Sequence, residues 1–238
     1  MDKDFLNRLE IAETGDGSSS LYLPELDEHY HSKHGAIRES QHVFIEKGLT
    51  YFKDNFYDQK PIKILELGFG TGLNALLSLT FSLEHKIPIE YHTIEAYPLS
   101  EEKISSLNYT SLLDSKHDLF HYFKKIHEVS WEEKRFISDQ FQLFKKKDFF
   151  QNLEEENTYN IIYYDAFGSR VQPELWTEEL ITQIGKGLKK PGVMLTYAAK
   201  GNFKRACKGL GFQLEKLDGP PGKREMMRAT YIWGFKKT

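Results

Sequence analysis

One cysteine stands in 238 residues, Cys207, so no intrachain disulfide can form and a reducing compartment fits. No run approaches the roughly 20 apolar residues that a membrane-spanning helix needs. The amino terminus, MDKDFLNRLE, is charged and has no apolar signal core. These absences predict a cytoplasmic protein with no membrane attachment. No internal repeat is present, and the short acidic stretch Glu154-Glu155-Glu156 reads as a solvated loop. Net charge is only −3, which argues against a generic nucleic-acid binder. Its distribution is uneven, however. From Lys186 to the end there are 13 Lys+Arg against 3 Asp+Glu, or +10; residues 1–185 hold the remaining 19 against 32, or −13. Such segregation has two readings: a solvated surface whose signs happen to separate, or a phosphate-binding face.

A chain of this length buries roughly 70–75% of its unfolded surface and needs no staples. Residues 1–20 read as weakly structured, ending in Gly15-Asp16-Gly17-Ser18-Ser19-Ser20, and residues 37–47 as helical. From there the pattern alternates. Strands are expected at 62–67, 89–95, 141–146, 159–165 and 193–197, the last opened by a Pro191-Gly192 turn. Helices are expected at 72–84, from Pro98 and Ser100 onward, in part of 108–138, at 174–189 and at 203–210. Two closing strands near 212–217 and 229–236 flank a Gly-Pro loop. Alternation of this kind predicts an α/β fold, a doubly wound and mostly parallel sheet over residues 61–238, preceded by an extension, residues 1–60, that covers the site. Ligands of such sheets lie outside the carboxyl ends of the strands, which makes the strand-end residues worth reading singly.

The first strand runs into Glu66-Leu67-Gly68-Phe69-Gly70-Thr71-Gly72-Leu73-Asn74. Glycines there remove side chains where a nucleotide-like ligand must approach the backbone. Leu73 stands where a dinucleotide-binding GxGxxG loop would have its third glycine. The pattern E-x-G-x-G-x-G resembles the first motif of S-adenosylmethionine (SAM)-dependent methyltransferases, and SAM has no pyrophosphate to wrap. Glu95 ends the second strand, where a carboxylate can accept both hydroxyls of a ribose or simply cap a turn. Asp148, beside Phe149, follows the third strand; it suits an adenine amino group or a helix N-cap. Asp165 ends the fourth strand, ahead of Ala166-Phe167-Gly168, where it either points at the reaction centre or caps the loop. His29, His31, His34 and His42 lack metal-ligand spacing and an accompanying cysteine, so no metal is expected. Lys200, Lys204, Arg205 and Lys208 fall at near-helical spacing, and Lys223, Arg224 and Arg228 flank the Gly-Pro loop as candidate phosphate contacts.

Taken in order, several segments resemble the methyltransferase domain of the MnmC family, from about Ser20 to Gly234. They are Leu67 to Asn74; Asp165-Ala166-Phe167 followed by Pro173 to Thr177; Pro191-Gly192 through Thr196-Tyr197; and Gly222 to Met226. Tyr30, Ser32, Gly35, Glu39 and Val43-Phe44 also follow the family's pattern. The resemblance implies a Rossmann-like fold, SAM as methyl donor and 5-aminomethyl-(2-thio)uridine at the wobble position of tRNA as acceptor, reached through the anticodon stem-loop. It implies donor contacts from Glu66, Gly68, Phe69, Gly70, Gly72, Asn74, Glu95, Ala96, Asp148, Phe149 and Tyr30. On the acceptor side it implies Phe167, Lys223, Arg224, Glu225 and Arg228, with Asp165 acting at the amine. Two departures stand out. The family's D-[AG]-F-A-P-x-x-x-P is here Asp165 to Pro173 without the early proline, so the acceptor-side loop is expected to differ. Bifunctional members continue into a flavin-dependent oxidase, whereas this chain stops at Thr238, so no flavin is expected and the aminomethyl group must come from elsewhere. Three other readings compete: a methyltransferase for a small-molecule or protein amine, a nucleotide-dependent oxidoreductase, and a binding module without turnover.

Overall fold

The computed structural model describes residues 3–56 and 61–232. A 3-10 turn, Lys3–Arg8, leads into β1 (Glu10–Glu13), β2 (Ser19–Leu23) and β3 (Glu28–His29), a small antiparallel sheet in the order β1-β2-β3. One continuous helical stretch follows: α1 (Ala36–Ser40), a π-helical segment (Gln41–Thr50) and α2 (Tyr51–Phe56). Then come β4 (Ile62–Leu67), α3 (Leu73–His85), β5 (Ile89–Ile94), the short helices α4 (Glu101–Ser105) and α5 (Tyr109–Leu112), α6 (Leu119–Glu128), β6 (Lys134–Ser138) and β7 (Phe141–Lys146). The last third holds β8 (Tyr159–Tyr164), α7 (Glu178–Lys186), β9 (Leu188–Thr196), α8 (Gly201–Gly209), β10 (Gln213–Asp218) and β11 (Glu225–Tyr231).

The main sheet has eight strands in the order β10-β11-β9-β8-β4-β5-β7-β6. Strands β9, β8, β4, β5 and β7 are parallel, while β6, β10 and β11 are antiparallel additions at the two edges. Alternate residues of one strand feed two cores. Ile161 and Tyr163 of β8 join Phe44, Leu76 and Phe123 on one face, and Ile162 and Tyr164 join Ile181, Phe203 and Cys207 on the other. A strand buried on both faces reads as a nearly continuous apolar run, as Tyr159–Tyr164 does apart from Asn160, whose side-chain oxygen accepts from Lys63 N at 2.9 Å.

Several expectations need correction. Residues 1–20 are not loose: Asp16 and Ser18 tie the β1–β2 turn to the start of α1. Asp16 accepts from Ser18 N (3.1 Å) and Arg38 N (2.9 Å), and Ser18 Oγ accepts from Ala36 N (3.1 Å). Segment 108–138 holds not only helices but also β6, an edge strand whose Lys134, Arg135 and Phe136 are exposed, so no apolar alternation marks it. Strand β9 begins at Leu188, before Pro191; the register shift between β8 and β9 leaves that imino nitrogen outside the ladder, where a residue without an N–H is tolerated. Helix 174–189 breaks at Thr177, whose side chain caps α7 by accepting from Leu180 N at 3.2 Å. The closing strand starts earlier than 229, at Glu225, and positions 233–236 lie outside the described residues.

Candidate active site

Sheet order reverses between β4 and β8, since the chain leaves β4 towards β5 on one side and returns to β8 on the other. The crevice at such a switch point is where α/β sheets hold ligands. Leu67 pairs with Tyr164, so the glycine loop after β4 and Asp165 after β8 emerge side by side. Gly68 has φ +91°, and a Cβ there would lie 2.8 Å from the Asp165 carbonyl oxygen. Gly70 has φ +48° and turns its bare face to the Tyr30 ring. A cavity of about 540 Å³ opens over this junction.

Most residues anticipated for the donor line this cavity: Tyr30, Gly68, Phe69, Gly70, Asn74, Glu95, Ala96 and Phe149. Glu95 is ringed by backbone N–H groups, with Gly70 N at 3.2 Å from one oxygen and Tyr97 N at 2.8 Å from the other. Burial pushes its carboxyl upward while the N–H groups pull it back. A carboxylate at the end of β5 that lines the cavity is placed as an acceptor for a vicinal diol. Three anticipated donor residues lie elsewhere. Glu66 lies within β4, below the loop, and does not line the cavity. It is fully buried, and its oxygens have no hydrogen-bond partner among the described residues. Burial and the Asp165 charge hold it well above the usual carboxylate range. Gly72 is needed for another reason: a Cβ there would sit 2.8 Å from His127 Nε2, a ring held behind the loop. Lys145, itself buried, fixes that ring's backbone by donating to the carbonyls of Ile126 (3.0 Å) and His127 (2.9 Å) at the end of α6. Asp148 sits outside the lining and is folded onto its own turn, accepting from Phe149 N (2.8 Å) and Asn152 Nδ2 (2.6 Å) and pairing with Lys146 at 3.0 Å. Asn152, ahead of Lys146, holds its carboxyl low.

Asp165 opens onto the cavity. Asn74 Nδ2 donates to its Oδ2 at 2.8 Å and fixes the carboxylate's orientation. Burial raises its pKa to about 7; the nearby Glu39 charge adds to the rise, and Asn74 and Lys223 oppose it. Phe167 lines the same wall, edge-on to Tyr30 at 4.9 Å between ring centroids. The loop lacking the family's early proline is fixed by other means. Val171 N and Gln172 N both donate to the Gly168 carbonyl, and Arg170 donates to the Asp27 carbonyl (2.8 Å) and pairs with Glu28 (2.9 Å).

Of the anticipated acceptor-side cations, only Lys223 lines the cavity. Arg228 is buried, paired with Glu215 at 3.0 Å, donating to the Lys47 carbonyl and stacked over Tyr51 at 3.4 Å. It cannot meet a phosphate without unpacking β11. Glu225 pairs with Lys216 at 2.9 Å, and Arg224 is exposed. Two residues with chemical weight were not singled out for a role from the sequence, Glu39 and Tyr197. Glu39 lies on α1 and was marked only by the resemblance, without a role. Tyr197 directly follows β9, where the strand-end rule marks a position facing the ligand crevice. Among the described residues no group of three or more His, Cys, Asp or Glu is placed to hold a metal ion, and no helix is long and apolar enough to cross a membrane.

The glycine-lined switch point is a place where α/β sheets hold nucleotide-like ligands, and similarity to known proteins indicates which class of protein this one resembles. A family model described as "S-adenosyl-L-methionine-dependent methyltransferase" matches residues 120–232. Relatives then sharpen the assignment. The chain is 28% identical over 232 residues to the tRNA 5-methylaminomethyl-2-thiouridine biosynthesis bifunctional protein MnmC of Leptospira interrogans, covering 89% of this chain and 34% of that protein. It is 25% identical over 219 residues to the protein of the same name from Nitrosospira multiformis, with 89% and 35% covered. MnmC2 from Aquifex aeolicus has the same fold, with a TM-score of 0.74 at 23% identity over 96% of this chain and 73% of that one. The chain is a relative of the MnmC proteins and spans about a third of the length of the curated ones it matches.

Proposed function

We propose that the chain is a SAM-dependent N-methyltransferase that converts 5-aminomethyl-(2-thio)uridine to 5-methylaminomethyl-(2-thio)uridine at the tRNA wobble position, in the cytoplasm. The observation that carries this reading is Asp165, a cavity carboxylate oriented by Asn74 and adjoining the glycine loop, with a pKa raised to about 7. The cavity fits the donor on structural grounds: the missing side chains at Gly68 and Gly70 leave a cradle, Glu95 offers two carboxylate oxygens, and Tyr30, Phe69 and Phe149 supply ring surface. When bound there, SAM supplies a methyl group on a sulfonium that is already activated for attack by a lone pair. The protein then has to align an amine and manage its charge. An alkylamine resembles lysine, with a reference pKa of about 10.4, and is mostly protonated near neutrality. Ionised Asp165 stabilises the positive charge that grows on the attacking neutral amine as the sulfur departs, and then accepts the proton that the methylated ammonium releases.

Residues 1–60 act, in this proposal, as a cover for a methyltransferase domain formed by residues 61–238. Chemistry at the wobble base needs it flipped out of the anticodon stack, and the cavity would receive it. Arg224 with Lys200 and Lys208, all exposed, would meet the phosphates. Much of the carboxyl-terminal positive excess is spent on pairs with acids: Arg205 with Glu178, Lys223 with Glu39, Lys186 with Glu156 and Arg228 with Glu215. Combined Ala substitution of Arg224, Lys200 and Lys208 is therefore expected to weaken tRNA binding and to lower the slope of log K against log salt by up to about 1 for each phosphate no longer neutralised.

The direct test supplies the purified chain with SAM and tRNA carrying the terminal aminomethyl group, and measures wobble nucleosides by mass. A gain of one methyl on that nucleoside is expected. Methylation of a small-molecule or protein amine, with tRNA untouched, would replace this acceptor by the alternative one.

A further inference from the structure

Lys223 places a cation inside the cavity. Its Nζ lies 2.5 Å from Glu39 Oε1 and 3.6 Å from the centroid of the Tyr197 ring. Glu39 is nearly fully buried, and its other oxygen accepts from Ser32 N at 2.6 Å. Tyr197 is pinned through its hydroxyl, which donates to the Ala166 carbonyl at 2.9 Å. Carboxylate and ring face are thus fixed by the scaffold, and both open into the cavity that Asp165 lines. A buried carboxylate beside an aromatic face is a receptor for an organic ammonium.

The occupant is attached far less firmly than the receptor. Lys223 sits in the hairpin loop between Asp218 and Glu225, whose ties to the amino-terminal segment are few. Ser32 Oγ donates to the Pro221 carbonyl at 3.4 Å, His42 Nε2 pairs with the Asp218 carbonyl at 2.8 Å, and a side chain at Gly222 would run into the His34 ring. The loop carries Gly219 and Gly222 beside Pro220 and Pro221. A lysine side chain ends in a primary ammonium on a methylene, the same group that an aminomethyl substituent presents.

We infer that Glu39 and the Tyr197 face form the subsite for the acceptor's primary ammonium, and that Lys223 occupies it in the free protein as an internal surrogate which the acceptor displaces. This inference rests on the aminomethyl acceptor proposed above and deepens it. Displacement keeps the site charge-balanced: one ammonium leaves Glu39 as another arrives, and the arriving one stands beside Asp165, the proton acceptor. It also explains why a cation sits inside a cavity meant for two positively charged ligands. Without Lys223, Glu39 would line the cavity with no cation paired to it, and its charge would act on Asp165 unopposed by that lysine. With it, apparent affinity is lowered by the fraction of molecules whose subsite is already filled.

The test uses Lys223→Met, which keeps the aliphatic stem, alone and combined with Glu39→Gln. Methylammonium chloride serves as the probe, followed by calorimetry and by crystallographic soaking, and KM for aminomethyl-bearing tRNA is measured in parallel. The single variant is expected to bind methylammonium against Glu39 where the wild type does not, and to lower KM by about tenfold if Lys223 fills the subsite nine-tenths of the time. Adding Glu39→Gln is expected to abolish both gains. A KM that rises in Lys223→Met together with a shallower salt dependence, and no methylammonium at Glu39, would overturn the inference and make Lys223 a phosphate contact. Methylammonium bound at Glu39 in a protein that methylates no tRNA would sustain the subsite and remove the acceptor assignment instead.

Discussion

Asp165→Asn is expected to cut methyl transfer by about 10²–10⁴-fold, the usual contribution of a positioned proton acceptor, with SAM binding nearly unchanged by calorimetry. The amide preserves shape while removing the charge and the proton-accepting oxygen. Two further signatures separate this outcome from a folding defect. Because the Asp165 pKa is about 7, the wild-type rate should rise as pH passes through that value, and the variant should lose this inflection. Stability moves in the opposite sense. The folded pKa lies above the ordinary carboxylate value of 3.8, so the folded state holds this proton more tightly than the unfolded chain does. Wild-type stability should then fall as pH rises from about 4 to 7, and the Asn variant, which has nothing to ionise, should be more stable at pH 7–8 by up to ~4 kcal/mol. Thermal melts across that pH range, read beside single-turnover methylation, give both halves. A variant that is inactive and also less stable at pH 8 would show that Asp165 is a structural group.

Gly68→Ala is expected to remove both donor binding and turnover. Its φ of +91° strains any residue with a Cβ, at a cost on the order of 1–3 kcal/mol. The added methyl would also stand 2.8 Å from the Asp165 carbonyl oxygen, which is backbone and cannot swing aside as a side chain could. Relief requires the β4 and β8 ends to part, and that separation moves Asp165 relative to the donor cradle. Misplacement by about 1 Å at a reacting centre costs on the order of 10²-fold. Gly70→Ala is the milder comparison, since the nearest atoms are those of the Tyr30 ring, at 3.2 Å. Gly209→Ala, at the end of α8 with nothing within 4 Å, is the control and should leave activity intact. SAM titration and initial rates on the three variants rank them; equal effects at Gly68 and Gly209 would refute the close-approach argument.

Legibility of this fold from the sequence tracks locality. Strands β4 and β7 appear at 62–67 and 141–146, as the sequence indicates, because each carries its apolar residues within one short segment. Asp165 was legible for the same reason, as the first residue after an apolar strand. The start of α1 was not. Gly35 gives that helix no side-chain cap, and the missing acceptors come from Asp16 and Ser18, some twenty residues upstream. Glu39, likewise, gains its chemistry only from Tyr197 and Lys223, which reach it across the sheet from β9 and the β10–β11 hairpin. Arg228 shows the converse error. A basic residue near a flexible loop reads as solvent-facing, yet the pairing of β11 with β9 and β10 turns it inward against Glu215 and Tyr51. Gly72 fits the glycine motif by spacing, while its own requirement comes from His127 on α6.

Because Asp16 and Ser18 hold the first turn of the helix that carries Glu39, the β1–β2 turn and a buried acid of the cavity are joined through one short helix. A substitution at residue 16 or 18 therefore removes an acceptor from the first turn of the helix that carries Glu39. Evolution of acceptor preference in this lineage would have an entry point far from the chemistry, in a turn that touches no ligand.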